Sequence, residues 1–215
     1  METIHQYLDK YPISKDSEKL IVGTIHPHNH ENFQIPFFYG NKNSIWNILS
    51  EAFPEDLKKP IKLEEVEKFL TKRKIALSDT IIKCKRKSSS AQDHHLIPLE
   101  LNRQLITQIK NSNIKEIFFT SSFGKNNAFK LFYIDILGNK KIPLEVKQNR
   151  EIVISEIFGR PIKLTILYSP SGSANIGLSK TKLYLENYNK YAGFKSPLNA
   201  FKIDYYREKF SDKKL

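Results

Sequence analysis

The sequence predicts a mixed α/β fold built around a parallel or mixed sheet. Short apolar runs rich in β-branched and aromatic residues recur along the chain, and the segments between them carry apolar residues at helical spacing. At 215 residues the chain has room for one sizeable α/β domain and not for two full ones, since a domain takes roughly 100–200 residues. A single domain over residues 1–215 is therefore expected.

The candidate strands are residues 18–25 (EKLIVGTI), 75–83 (IALSDTIIK), 114–121 (IKEIFFTS) and 162–168 (IKLTILY). Between the first two, Ile45, Ile48, Leu49, Ala52 and Phe53 share one helical face, so residues 44–53 are predicted as an amphipathic helix capped by Asn41 or Asn43. Residues 62–72 and 98–110 also carry helical spacing, the second with Pro98 in its first turn, where the missing N–H costs nothing. Further helices are expected over 123–136, 178–192 and about 198–210. The least regular stretches are 24–42, 85–97 and 169–177. The first and last follow predicted strands, and open α/β sheets place ligands in the loops at the carboxyl ends of their strands.

Lysine and arginine number 35 against 23 acids, a formal charge of +12 with an isoelectric point near 9.5. Such a balance favours an anionic partner such as nucleic acid. Two stretches concentrate it: residues 58–87 hold 11 basic and 4 acidic side chains, and residues 180–215 hold 9 and 4. The first leads into the expected ligand edge of the sheet, where it would form a groove that tracks phosphates. With 14 Phe and 10 Tyr the chain is too aromatic for a disordered basic tail. No apolar run approaches the roughly 20 residues of a membrane span, and the N-terminus has no basic region followed by an apolar core. Cys84 is the only cysteine, which excludes an internal disulfide, a four-cysteine zinc site and a four-cysteine iron–sulfur cluster. Cys84 itself reads as a small buried hydrophobe. A cytoplasmic protein is expected.

Several constellations carry candidate chemistry. In the loop GTIHPHNH, the alternating His26, His28 and His30 would share a face on an extended strand and could ligate a metal, although Pro27 breaks a regular strand; the alternative is a polar loop lining something anionic. Phe37, Phe38 and Tyr39 beside Gly40 are either core or a platform for a stacked base. Asp79 interrupts an apolar strand, so it is either paired with a nearby lysine or an acceptor aimed into a pocket. After it come Lys83, Lys85, Arg86 and Lys87. The loop YSPSGSANIG, residues 168–177, is rich in small polar residues suited to holding a phosphate, but lacks the lysine of a Walker motif.

Taken in order, GTIHPH, FFYGNKNSIWNIL, IALSDTIIKCKRKSSSAQD, IKEIFFTSSFGK and LYSPSGSAN resemble the uracil-DNA glycosylase superfamily. The likeness is greatest to its branch of hypoxanthine-DNA glycosylase and mismatch-specific-like proteins, and spans about residues 18–180. It implies a three-layer α/β/α sandwich around a short, mostly parallel sheet, with DNA bound across the strand ends. It places Asn43 at the branch's catalytic asparagine, Tyr39 or Phe38 where a ring stacks on the extruded base, and Asp79 where a residue reads the base. Ser169, Pro170, Ser171, Gly172 and Ser173 match the loop that pinches the backbone and penetrates the duplex. The stretch from Tyr39 to Asn43 is one residue shorter than the family pattern, His26 precedes Pro27 where related branches carry asparagine or another residue, and Ser-Pro-Ser stands where the main uracil-excising branch has His-Pro-Ser.

The activity so implied is a monofunctional DNA glycosylase that hydrolyses the N-glycosidic bond of uracil or hypoxanthine in DNA containing deaminated bases. Asn43 would orient the attacking water. Backbone N–H groups of the loop that runs through Gly23, Thr24, His26, Pro27 and His28 would hold the base oxygens, with His26 or His28 donating as well. Asp79 would accept a ring N–H or serve as general base for the water. Lys85, Arg86 and Lys87 would bind DNA. Neither role of Asp79 requires a metal or an organic cofactor, and a monomer is favoured. The alternatives are a nucleic-acid-binding protein that keeps this fold with altered catalysis, and an enzyme acting on free nucleosides or nucleotides.

Overall fold

The computed structural model describes residues 1–41, 45–88 and 92–211. They group into two compact units, residues 1–30 with 74–167 and residues 31–73 with 168–215.

The first unit carries the sheet. Strands β2 (Lys19–Gly23), β3 (Ile75–Asp79), β6 (Glu116–Phe119), β7 (Glu151–Ile154) and β8 (Ile162–Ile166) lie in the order β3-β2-β6-β8-β7. All pairs are parallel except β7–β8. The fold is thus α/β with a mostly parallel sheet, as expected. Register aligns Leu20 with Ala76 and Ile117, and Ile117 with Leu164. One face therefore gathers Leu20, Val22, Ile117, Phe119, Leu164 and Ile166 into a core. That core also takes Leu105 and Ile109 from α3 (Gln104–Lys110), Phe129 and Phe132 from the helix over residues 128–136, and Val146 from α5 (Leu144–Asn149). Ile21, Leu77 and Phe118 on the other face are buried too. Burial on both faces explains why these strands read as continuous apolar runs rather than alternating ones.

The predicted strand 75–83 is two strands of two sheets. Its second part, β4 (Ile81–Arg86), pairs antiparallel with β1 (Glu2–Ile4) and β5 (Leu96–Leu101) in a separate three-stranded sheet. At the changeover, the Thr80 and Ile81 N–H groups donate to the Gly23 and Thr24 carbonyls at 3.0 Å each. Pro98 lies inside β5, opposite Cys84, and not in a helix. The helical spacing of 98–110 belongs to α3 alone, because the apolar residues of 96–101 answer to the second sheet. Helix 123–136 begins only at Ala128, where α4 (Ala128–Lys130) runs into a wider π-turn over Leu131–Ile136. Cys84 is fully buried, as expected, and burial pushes its thiol pKa up.

In the second unit, α1 (Ile45–Ala52), α2 (Leu63–Lys72) and α9 (Pro197–Phe210) match the predicted helices closely. Trp46 is fully buried, and its indole N–H donates to the Phe38 carbonyl at 2.7 Å. Arg207 of α9 donates from Nε to the Ala52 carbonyl at the end of α1 at 3.0 Å. Arg73 lies 3.9 Å over the Phe53 ring and pairs with Asp56. The expected helix 178–192 is broken into α6 (Asn175–Leu178), α7 (Lys182–Glu186) and α8 (Tyr188–Tyr191).

Candidate active site at the strand ends

In the first unit, the carboxyl ends of β2, β3 and β6 bring Gly23, Thr24, Asp79, Thr80, Thr120 and Ser121 to one edge. Asp79 is the last residue of β3 and its side chain is only 6% exposed. Its partner is not a lysine. The His5 Nε2–H donates to Asp79 Oδ2 at 2.8 Å. On the other side of that ring, Nδ1 accepts the Tyr7 and Leu8 N–H groups at 3.1 and 3.3 Å. An imidazole nitrogen that accepts cannot carry a proton in the same arrangement, so these bonds fix the tautomer with hydrogen on Nε2 and aim it at the carboxylate. Asp79 is thereby held in one rotamer by a donor from the N-terminal segment.

The histidines of the following loop are committed elsewhere. His26 is buried, its Nε2 accepting the Gln6 N–H at 3.1 Å and its Nδ1 bonding the Pro27 carbonyl at 2.8 Å. Burial lowers its pKa to about 4. With both nitrogens taken by backbone, His26 has no N–H left for a base oxygen, which corrects the expectation that it donates there. His28 is exposed and its Nδ1 lies 3.2 Å from Thr3 Oγ1. The His26 and His30 rings are 4.3 Å apart between centroids, in ring contact rather than converging on a shared point. Among the described residues no group of His, Cys, Asp and Glu could hold a metal ion.

A second carboxylate completes the edge. Asp93 opens a 3-10 turn (Asp93–His95) after the basic cluster, and its Oδ1 accepts the Thr24 hydroxyl at 2.8 Å. The Asn127 amide, turned so that both its ends are satisfied, donates to Oδ2 at 3.2 Å and accepts the Ser122 N–H at 3.1 Å. Asn126 donates to the Asp93 carbonyl at 3.1 Å. Burial pushes the Asp93 carboxyl above the usual carboxylate range; the Thr24 and Ser121 side chains oppose that rise, and the charge of Asp79 adds to it. Desolvation plus a neighbouring like charge is how a carboxyl is prepared for acid–base work.

Of the predicted DNA-binding cations, Lys85 and Lys87 are exposed. Arg86 is not: it is 5% exposed, with Nε donating to Thr3 Oγ1 at 3.0 Å and Nη2 to the His26 carbonyl at 2.6 Å. Strand alternation explains the difference, since successive residues of β4 face opposite ways.

In the second unit, Phe38 is 1% exposed and edge-on to Phe37 at 5.3 Å, so its ring is core and not a free platform. Tyr39 is half-buried, with a φ of 56°. Gly40 beside it is obligatory, because an added Cβ would stand 1.7 Å from the Ile35 carbonyl oxygen. A cavity of about 140 Å³ nearby is lined by Gln34, Asn41, Trp46 and Asn47 among others, and not by Phe38 or Tyr39. Asn43 lies outside the described residues. Residues 171–173 of the serine-rich loop are exposed. The Lys202 ammonium, 3% exposed, reaches the Pro170 and Ser171 carbonyls at 3.4 and 3.0 Å, and burial lowers its pKa to about 8.

No protein-family model matches the chain, and no curated protein matches it. Among solved structures, it is similar to an NMR structure described as a "putative Uracil DNA glycosylase" from Methanosarcina acetivorans. The identity is 17% and the TM-score 0.46, over 92% of this chain and 95% of that one.

His5, Asp93 and Lys202 do not stand out as site residues in the sequence. Asp93 closes the motif that ends in SSSAQD, and its place at the end of a polar run after a strand is the available signal. His5 and Lys202 give none, because each acts across a distance that only the fold closes.

Proposed function

We propose that the protein is a monofunctional DNA glycosylase that hydrolyses the N-glycosidic bond of a deaminated base, uracil or hypoxanthine, in the manner of the hypoxanthine and mismatch-specific-like branch. The observation that carries this reading is the pair of carboxylates, Asp79 at the end of β3 and Asp93 bonded to Thr24 just past the end of β2, one pinned by His5 and the other desolvated. The order of the sequence motifs and the charge of +12 support it.

A base inside a duplex cannot be reached at its C1′–N bond, so the nucleotide must leave the stack, at least cost where it is mispaired. Cleavage then passes through an oxocarbenium-like sugar while negative charge collects on the departing base. The site must hold a water near C1′ and offset positive charge on the sugar. Asp93 suits the water, because a carboxyl of raised pKa is the better proton acceptor once ionised, and Thr24 and Asn127 fix its orientation. Asp79 suits the sugar, or reads a ring N–H of the base, because His5 occupies only one of its oxygens. Asn43 is assigned to orienting the water on its motif position alone. Lys85 and Lys87 remain as phosphate contacts; Arg86, Phe38 and the His26 ring are withdrawn from the site.

The reading is tested by alkali scission of labelled duplexes carrying one uracil, hypoxanthine or xanthine, with Asp93→Asn and Asn43→Ala proteins run alongside. Cleavage by the parent alone is the expected result. The absence of the final-loop histidine favours one alternative, a nucleic-acid-binding protein with altered catalysis, and tight salt-sensitive binding without cleavage of any duplex would establish it.

A further inference from the structure

A buried ammonium without a carboxylate is an unusual thing for a protein to keep, since lysine is almost never fully buried unless paired. Lys202 is such a group. Among the described residues it has no ion pair, and burial alone accounts for its lowered pKa. Its two acceptors are successive carbonyls of the Ser169–Ser173 loop. Four residues on, one turn of α9 away and on the same face, the Tyr206 hydroxyl donates to the Tyr168 carbonyl at 2.8 Å. The start of the loop is thus strapped to α9 by one neutral and one charged side chain.

The direction of those bonds matters. In a trans peptide the N–H points opposite to the C=O. When Lys202 draws the Pro170 and Ser171 carbonyls inward, the N–H groups of Ser171 and Gly172 turn outward, where residues 171–173 are exposed. The Ser171 N–H is taken by Ser169 Oγ at 3.3 Å. Gly172 begins a 3-10 turn, so its N–H has no acceptor within that turn, and a Cβ built on it would meet nothing within 4 Å. The Ser171 and Ser173 hydroxyls lie 2.8 Å apart beside it. Outward peptide dipoles with a cation behind them form a concavity suited to an anion.

We propose that Lys202 is a positioning residue that converts the Ser169–Ser173 loop into a seat for one phosphate of a nucleic-acid backbone, acting through the two carbonyls it holds and not by touching the phosphate. This deepens the proposed function by naming how that loop engages its partner, and rests on that reading only for the identity of the partner.

The experiment measures affinity of the full chain for an undamaged duplex by fluorescence anisotropy across a salt series. It compares Lys202→Met, which keeps the aliphatic stem and removes the charge, with Tyr206→Phe, which removes the neighbouring strap and leaves the charge. Lys202→Met should weaken binding about tenfold, the loss of one hydrogen bond to a charged group, and lower the slope of log K against log salt by less than the about 0.9 of a directly neutralised phosphate, because the cation stands behind the contact. In the parent, the Gly172 amide resonance should shift on titration with that duplex and fail to do so in Lys202→Met. Tyr206→Phe should keep affinity and slope. Unchanged affinity and slope in Lys202→Met, or an equal loss in Tyr206→Phe, overturns the proposal. Excision is scored separately: a Lys202 effect on binding without uracil or hypoxanthine release by the parent leaves this inference standing and removes the glycosylase, and release with no Lys202 effect does the reverse.

Discussion

Replacing His5 by leucine tests whether the N-terminal segment holds Asp79 in place. The wild-type bond runs 2.8 Å from Nε2 to Oδ2 between side chains 1% and 6% exposed, so the substitution strips a buried carboxylate of this donor and leaves it against an apolar surface. Losing a neutral donor to a buried carboxylate costs about 1.5–3 kcal/mol, because the oxygen left behind stays desolvated without its hydrogen bond. The Tyr7 and Leu8 N–H groups lose their Nδ1 acceptor at the same time, which adds to the loss. Asp79→Asn is different: the amide oxygen still accepts the Nε2–H, so the expected cost is about 1 kcal/mol. His5→Leu with Asp79→Leu should recover most of the single-variant deficit, since no charge remains to be left alone. Urea unfolding followed by circular dichroism measures all four proteins, and a constant m-value would show that only stability has moved. A domain of this kind has about 5–15 kcal/mol in total, so the His5→Leu deficit would be unmistakable. A His5→Leu protein within about 0.5 kcal/mol of the parent, the range of an ordinary surface change, or an equal cost for Asp79→Asn, would show that His5 does not hold Asp79 in place.

Asp93→Asn should separate function from stability. Excision is expected to fall by a factor on the order of 10² to 10⁴, the usual contribution of an acid–base group, while the melting temperature holds or rises because a desolvated carboxyl has been removed; a lower melting temperature with full activity would return Asp93 to a purely structural part. Changing Lys85 and Lys87 to glutamine should weaken duplex binding for all sequences alike and reduce its salt slope, whereas Arg86→Gln should chiefly lower stability, as thermal melts and anisotropy together will show. Gly40→Ala should be severely destabilising, the Ile35 carbonyl being in the way of its Cβ, and a melting temperature within a degree of the parent would contradict the turn geometry. For His26 the sign follows from linkage: its folded pKa of about 4 lies below the usual value near 6.5, so unfolded chains bind more protons in between. Its contribution is fully present above about pH 6.5 and is lost as pH falls toward 4. Unfolding free energy measured across that window should drop less steeply in His26→Gln.

The parallel strands are legible in the sequence because burial on both faces leaves runs such as KLIVG and IKLTI with no polar interruption, and α1 and α9 because their apolar residues keep helical spacing against a partner. The strand 75–83 is where the sequence misleads most. Nothing between Asp79 and Ile81 marks a change of sheet; Thr80 is β-prone, and the departure is imposed by the Gly23 and Thr24 carbonyls. Pro98 points to a helix start by local rule, yet it stands in β5, where the demands of the second sheet outweigh propensity. At the site, types of residue are easier to read than their commitments. His26 looks available as a donor because sequence does not show that Gln6 and Pro27 use both its nitrogens, and Arg86 looks like Lys85 and Lys87 because alternation along β4 cannot be phased without knowing which face is covered.

The passage from β3 to β4 through Thr80 has a bearing on how the first unit breathes. A chain that crosses between sheets with no intervening loop offers no slack, and the amides of Thr80 and Ile81 are bonded back to β2 and the residue after it at the crossing. The five-stranded and three-stranded sheets should then open as one cooperative block, with those two amides exchanging their hydrogens only when both sheets come apart. The backbone at this crossing would be among the last in the unit to exchange with bulk water, which keeps the strand end that carries Asp79 fixed.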